Sequence, residues 1–258
     1  VVNYTLARFF SLPPFSHSAH YSNALFEGMS ILASRQGDGL RLGLFHPNLN
    51  FERMRFGLKG LGYEPLPYTD EHMVDSIFTI CALNGWNKRI DMKGVDTVIH
   101  TDMGDVQRIY VRPLVYANNN AIGLQAKANL DLLIGLVPMG AYLPVEDERG
   151  INVMLYPKPR RLSFPQYKVA SNYQLSIHAV NMVKRYNQLN DMRCTEAIFA
   201  NERGAITEGP GENVMAIIDN ELVTPPVKEG ALPGITLRIV RHLAEEMGLG
   251  FRWGTFTY

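Results

Sequence analysis

Apolar positions along the chain recur with two periods. Over 49–61 they fall at Phe51, Met54, Leu58 and Leu61, the spacing that lines one face of a helix, and Gly60 and Gly62 close the run. A second helix is predicted over 70–83. Thr69 stands at its cap, acids fill its first turn, and Asn84-Gly85 ends it. A third, over 173–186, sets Leu175, Ala179, Met182, Val183 and Tyr186 on one side. A fourth, over 235–247, follows Pro233-Gly234 and stops at Gly248. Strand-like runs occupy 40–45, 108–116, 129–137, 151–156, 195–200, 214–218, 222–224 and 249–256, with Asp219-Asn220 as a turn between two of them. Residues 85–107 are polar and are expected to be irregular. Pro, Gly and four charges between 139 and 150 mark a linker. The result is a mixed α/β (α+β) chain in two lobes, 1–138 and 151–258, joined by 139–150.

Composition changes this picture only by exclusion. At 258 residues the chain suits one large domain or two of about 100 residues. A hydrophobic fraction of 46% supplies a core and excludes a disordered chain. Lys+Arg and Asp+Glu both number 25, so no net charge steers the molecule toward nucleic acid or an anionic membrane, and neither is expected as a partner. Two distant cysteines, Cys81 and Cys194, make neither a disulfide framework nor a metal site, and the histidines lack ligand spacing, so no metal is expected. A reducing, cytoplasmic setting follows. The longest apolar stretch, 132–145, is broken by Gly135, Pro138 and Gly140 and is too short for a bilayer core of about 30 Å. The opening VVNYTLARFF lacks the pattern of a signal peptide.

Walker, HExxH and Gly-x-Ser-x-Gly signatures are absent. Three segments carry more information. Lys168 stands in a nearly uncharged stretch, Phe164 to Tyr173, just before a helix. Leu232-Pro233-Gly234-Ile235-Thr236 opens another helix, where free N–H groups can face an anion. Thr207-Glu208-Gly209-Pro210-Gly211-Glu212-Asn213 sets carboxylates beside tight glycines. Singly, each has an ordinary reading: a solvated lysine, a Pro-Gly helix start, a solvated turn acid.

In this order the segments resemble the fold-type IV pyridoxal-phosphate enzymes, and among them they are most similar to branched-chain amino acid aminotransferases. His20 to Met29, with Phe26-Glu27-Gly28, is similar to an early family motif. Leu44 to Met54, with Arg53, is similar to the phosphate-arginine helix. Tyr110 to Leu114 and Gly140 to Leu143 are similar to two further blocks. The resemblance implies a two-domain class IV aminotransferase-like fold, with a smaller N-terminal and a larger C-terminal lobe. It also implies amino transfer from Leu, Ile or Val to 2-oxoglutarate, giving the branched 2-oxo acid and glutamate, as in amino-acid biosynthesis.

By position, Lys168 would carry pyridoxal 5′-phosphate as a Schiff base and Glu208 would pair with the ring nitrogen. Tyr173 would bond the ring hydroxyl, and Arg53 with Ile235 and Thr236 would hold the phosphate. Tyr21, Phe26, Arg112 and Tyr142 would line the substrate side. Ile122 and Leu124 would reach the pocket of a partner subunit, in a homodimer or a dimer-based higher oligomer. The chemistry is coherent. A carboxylate at 208 keeps a ring nitrogen protonated, an amine at 168 can carry protons where an arginine cannot, and Arg53 with a helix terminus meets a phosphate. Arg112 could answer the carboxylate of 2-oxoglutarate without blocking an aliphatic side chain.

Two departures concern the pocket: Ser30 where the family commonly has Arg, and Met139 where it often has Trp. The resemblance also implies about 50 further residues after the last helix, carrying a Ser-Gly-Thr turn, so the C-terminal domain is expected to be incomplete at its end. Other enzymes of the fold remain alternatives, namely a D-amino acid aminotransferase, an aminodeoxychorismate lyase or an amine transaminase, as does a non-catalytic binding protein. The Arg112-Pro113 block and Gly140-Ala141-Tyr142 favour the branched-chain reading, and intact Lys168, Glu208 and Arg53 weigh against the binding protein.

Overall fold

A computed structural model describes residues 3–93, 96–140, 150–190 and 193–258. The chain divides into two units, Val1–Tyr142 and Leu143–Tyr258, within the predicted linker. Residues 141–149 of that linker lie outside the described residues, and Tyr142 with them.

The first unit begins with α1 (His17–Tyr21), β1 (Ala24–Phe26), β2 (Met29–Gln36) and β3 (Gly39–Leu44). Helices α2 (Pro47–Gly60) and α3 (Asp70–Leu83) follow, then β4 (Ile90–Lys93), β5 (Asp96–Thr101), β6 (Gly104–Val106), β7 (Arg108–Ala117) and β8 (Leu130–Met139). Strand β7 is the spine. It pairs antiparallel with β8 from Arg108 to Ala117 on one edge. Its other edge is shared: β2 takes Arg108 to Val111 and β1 takes Leu114 to Tyr116. The break falls opposite Arg112-Pro113, because Pro113 has no N–H for the ladder. Its carbonyl still accepts the Glu27 N–H at 2.9 Å.

Burial alternates along β7, with Ile109, Val111, Pro113, Val115 and Ala117 facing in. Phe51, Met54 and Leu58 of α2 and Met73, Ile77 and Cys81 of α3 are also buried. Each large aliphatic or aromatic side chain removed from water contributes about 1.5–3 kcal/mol. Thr69 caps α3 as predicted, its hydroxyl accepting from the His72 N–H at 3.2 Å.

Residues 85–107 correct the sequence reading. Among the described residues they hold a 3₁₀ turn, Trp86–Lys88, and an antiparallel meander, β4-β5-β6. Its strands are three to six residues long, and only Val98 and Ile99 are buried in β5, so no alternation long enough to read develops. Residues 17–36 likewise form α1, β1 and β2 without a predicted counterpart.

The second unit holds β9 (Asn152–Leu155), α4 (Tyr173–Asn190), β10 (Cys194–Ile198), β11 (Ala216–Ile218), β12 (Glu221–Thr224), α5 (Ile235–Glu246) and β13 (Gly250–Trp253). It contains two parallel pairs, β9 with β10 and β12 with β13, and each has one helix in its connection, α4 and α5 respectively. Helix α4 runs four residues past the predicted end. Tyr156, Ala179, Val183, Ala197 and Phe199 form a buried cluster under it. Strands β11 and β12 form a hairpin, with Asp219 and Asn220 at φ of 52° and 63°, the two left-handed positions of a tight turn.

Candidate active site

The loop before α4 places Lys168. Asn172 is buried, and its Nδ2 donates to the carbonyls of Phe164 and Tyr167 at 3.0 and 3.2 Å, curling the segment around the lysine. Lys168 Nζ donates to Tyr173 Oη at 2.6 Å. Tyr173 opens α4, so a helix terminus sets the position of the phenol.

Glu208 is set by backbone pairing. The backbone at 207–208 lies along Phe199, with Phe199 N–H donating to Glu208 O at 3.0 Å and Thr207 N–H to Phe199 O at 2.9 Å. The chain then turns tightly through Gly209, where an added Cβ would stand 2.6 Å from Glu212 Oε2, and returns to bridge Glu208 with Asn213. The Glu208 carboxylate is buried and doubly engaged. Oε2 accepts the Leu232 N–H at 2.7 Å, and Oε1 accepts Arg160 Nη2 at 2.6 Å. Burial pushes the Glu208 carboxyl up from the ordinary carboxylate range, while Arg160, the Leu232 N–H and Lys168 pull it down and Glu212 pushes it up. Burial likewise lowers the Arg160 guanidinium, and Glu208 opposes that shift. An arginine that gives a 2.6 Å bond to a carboxylate remains the cation of the pair.

Leu232 ties this loop to α5. Its N–H goes to Glu208 and its carbonyl accepts Asn213 Nδ2 at 2.7 Å. Gly234, the N-cap, is buried and brings no side-chain acceptor to the first turn, which holds Ile235 and Thr236. The second unit thus brings together the three segments singled out from sequence. Lys168 contacts Tyr173, Lys168 and Glu208 interact electrostatically, and Glu208 is bonded into the start of α5.

The remaining predicted residues sit in the first unit. Arg53, on α2, is held by Glu27: Nε donates to Oε1 at 2.8 Å and Nη2 to Oε2 at 2.7 Å. Glu27 is fully buried at the break between β1 and β2, and it also accepts Asn50 Nδ2 at 2.8 Å. Arg112 is exposed on β7. Its guanidinium lies 4.3 Å from the Phe26 ring centroid and donates twice to Tyr110 Oη, at 3.1 and 2.7 Å. Gly28 makes room for that phenol, since a Cβ there would stand 2.5 Å from the Tyr110 oxygen. Tyr21 forms a separate group with the 118–124 loop, its Oη accepting the Gly123 N–H at 3.0 Å. In that loop Ile122 and Leu124 are 56% and 82% exposed.

Four participants had no assigned role from sequence: Arg160, Glu27, Asn50 and Tyr110. The signal for Arg160 is indirect, in that a buried Glu208 requires a cation. Asn50 and Arg53 offered a better one, being polar and three apart on a helix whose neighbouring Phe51 and Met54 are core residues. A cavity of about 700 Å³ is lined by Arg203, Ala205, Lys228, Glu229, Thr255, Phe256 and Thr257 and includes none of the residues above. Among the described residues no His, Cys, Asp or Glu cluster could hold a metal ion, and no helix is long and apolar enough to cross a membrane.

The fold and this constellation define a class: residues 24–258 match the amino-transferase class IV family, and the chain belongs to it. Among curated relatives, a probable branched-chain-amino-acid aminotransferase of Staphylococcus epidermidis is 28% identical over 244 residues, which is 93% of this chain and 61% of that protein. The chain therefore spans about three-fifths of the length of that relative. The branched-chain amino acid aminotransferase of Escherichia coli superposes with a TM-score of 0.80 at 24% identity, covering 98% of this chain and 75% of that one. The branched-chain amino acid aminotransferase of Thermobaculum terrenum, in its PLP-bound holo-form, gives a TM-score of 0.71 at 21% identity over 91% and 68% of the two chains. These structures share the fold.

The residues fit the cofactor that the family implies. Lys168 offers an amine beside a phenol, and Glu208 is a buried carboxylate anchored by two donors. Arg160 Nε and Nη1, beside that carboxylate, have no acceptor among the described residues. A buried glycine, too close to Asn213 for a Cβ, opens α5.

Proposed function

We propose that the chain acts as a pyridoxal 5′-phosphate-dependent aminotransferase that moves the amino group of Leu, Ile or Val to 2-oxoglutarate. The observation that carries this reading is the Lys168–Tyr173 contact beside the Glu208–Leu232 bond. One unit thereby sets an amine, a phenol, a carboxylate and a helix start in mutual register. The names of the relatives supply the substrate class. When bound, the cofactor supplies an electron sink for the α-carbanion of the amino acid.

The chain's own residues do the rest. The Lys168 amine would be the point of attachment for the cofactor and, as a free amine, would carry the proton taken from the substrate α-carbon. Tyr173 Oη holds that amine in place. Glu208 keeps a proton on the ring nitrogen. Arg53, with its geometry set by Glu27, and the first turn of α5 at Ile235 and Thr236 serve the phosphate. Arg112 answers the side-chain carboxylate of 2-oxoglutarate, and Phe26 with Tyr21 offers apolar surface to an aliphatic chain. Tyr142 belongs to the same proposal by motif. Ile122 and Leu124 serve a partner copy, so size-exclusion chromatography is expected to return a dimer or a multiple of one, in a cytoplasmic protein.

The test is direct. Protein loaded with pyridoxal 5′-phosphate and reduced with borohydride should carry one pyridoxyl group, on the peptide containing Lys168, and Lys168→Ala should carry none. Leucine with 2-oxoglutarate should yield glutamate. Turnover of D-alanine, aminodeoxychorismate or a simple amine in its place would refute the substrate assignment.

A further inference from the structure

We propose that Arg160 is a positioning residue that drives the proton shared by Glu208 and the cofactor's ring nitrogen onto the ring. The inference rests on the reading above and deepens it. A carboxylic acid and a pyridine nitrogen in contact hold one proton between them. It sits either on the nitrogen, giving an ion pair, or on the carboxyl, giving two neutral groups. Only the first makes the ring a strong electron sink. Glu208 is buried, and burial alone favours the neutral acid. The choice therefore depends on the charges that face it.

Those charges are few. Arg160 touches Oε1 at 2.6 Å, the Leu232 N–H touches Oε2 at 2.7 Å, Lys168 acts at longer range, and Glu212 opposes them. Arg160 is the nearest cation and cannot move away. It is 6% exposed, its backbone N–H is bonded to Ala200 O at 2.8 Å, and its guanidinium lies over the Phe199 ring at 4.6 Å. Each carboxylate oxygen accepts one bond from these donors and keeps a lone pair for a third.

The pair is poorly built as a stabilising salt bridge. Arg160 engages a single oxygen, and its Nε and Nη1 find no acceptor among the described residues, although a bidentate fork is the stronger arrangement. Replacing a buried ion pair with apolar side chains is often neutral or stabilising. What the pair secures is charge at one atom. Arg160 bonds the carboxyl itself and reaches a bound heterocycle only through it, so removing the guanidinium raises the proton affinity of Glu208 more than that of the ring. An opposite charge at contact shifts a carboxyl by about 1–3 pH units, so the ratio of the two proton positions should change by about tenfold to a thousandfold.

The measurement is the ¹⁵N resonance of pyridoxal 5′-phosphate labelled at the ring nitrogen and bound to the full chain at neutral pH. Wild type should show a protonated ring. Arg160→Gln should move the resonance to the unprotonated position, and Arg160→Lys, which restores the charge, should bring it back. Circular dichroism establishes that each variant is folded. Should Arg160→Gln not fold, Arg160→Met, which removes the charge but keeps an apolar chain of similar length, takes its place: a folded Met variant with an unprotonated ring upholds the inference, and one with a protonated ring overturns it. A protonated resonance in folded Arg160→Gln also overturns it, and leaves the functional reading standing. A wild-type protein that binds no pyridoxal 5′-phosphate removes that reading and this inference together.

Discussion

Replacing Gly234 with alanine isolates one contact in the second unit. The backbone at Gly234 has φ −68° and ψ 140°, a conformation open to any residue, so the substitution introduces no backbone strain. The added Cβ would instead stand 1.8 Å from Asn213 Oδ1 and 3.0 Å from its Cγ. Asn213 must rotate away and break its bond to Leu232 O, now 2.7 Å. Leaving that partly buried pair unmade costs about 1–3 kcal/mol. Alanine at an N-cap adds about 0.5–1 kcal/mol, and the reduced freedom of the unfolded chain returns about 0.4–1 kcal/mol. The net loss is about 2 kcal/mol, or about 4–8 °C in melting temperature for a chain of this size.

Thermal and urea unfolding of wild type, Gly234→Ala, Asn213→Ala and the double variant form a cycle. The double variant should match Asn213→Ala, because the clash vanishes with the amide, giving a coupling equal to the Gly234→Ala loss, about 2 kcal/mol. A Gly234→Ala protein that melts with wild type, or one equally damaged in both backgrounds, would refute the steric argument.

Other expectations concern the first unit. Glu27→Ala strips a buried carboxylate from Arg53 and Asn50 and should destabilise the protein by about 3–5 kcal/mol, measured by urea unfolding; Glu27→Ala/Arg53→Met should recover part of that loss. Burial pushes the Cys81 thiol up from an ordinary 9.0 to about 12, so in native protein at pH 8 it should resist Ellman's reagent until the chain unfolds, while half-buried Cys194 reacts sooner. The sign of the linkage follows. Because the folded value lies above the unfolded one, the contribution of Cys81 to stability is complete below pH 9 and declines from there toward pH 12, and Cys81→Ala should flatten that decline in a series of urea midpoints.

The long elements were legible because one face of each is continuous. Helix α3 was read to the residue from a threonine cap, acids in its first turn and the Asn84-Gly85 stop. The meander at 90–106 was not, because its strands bury too few side chains to alternate visibly. At the site, Lys168, Glu208 and Gly234 were joined by the resemblance of their ordered motifs to one family, since each run taken singly has an ordinary reading. Their supports were hidden for a physical reason. Arg160 lies 48 positions from Glu208 and Glu27 lies 26 from Arg53, and a pairing across such distances leaves no local pattern. Tyr110 was quoted in a motif, but its grip on Arg112 depends on the pleat, which sets residues two apart on the same face of β7.

Pro113 gives the first unit a punctuation mark. A valine there would supply the missing amide and invite β1 and β2 to zip into one uninterrupted strand along β7. The register is the same on both sides of the gap, Leu25 opposite Val115 and Met29 opposite Val111, so Glu27 would stand opposite residue 113 and keep its inward face. An imino acid in the middle of a sheet thus decides where two strands part, while the register they share decides which way the carboxylate between them points and so how the Arg53 side chain is held.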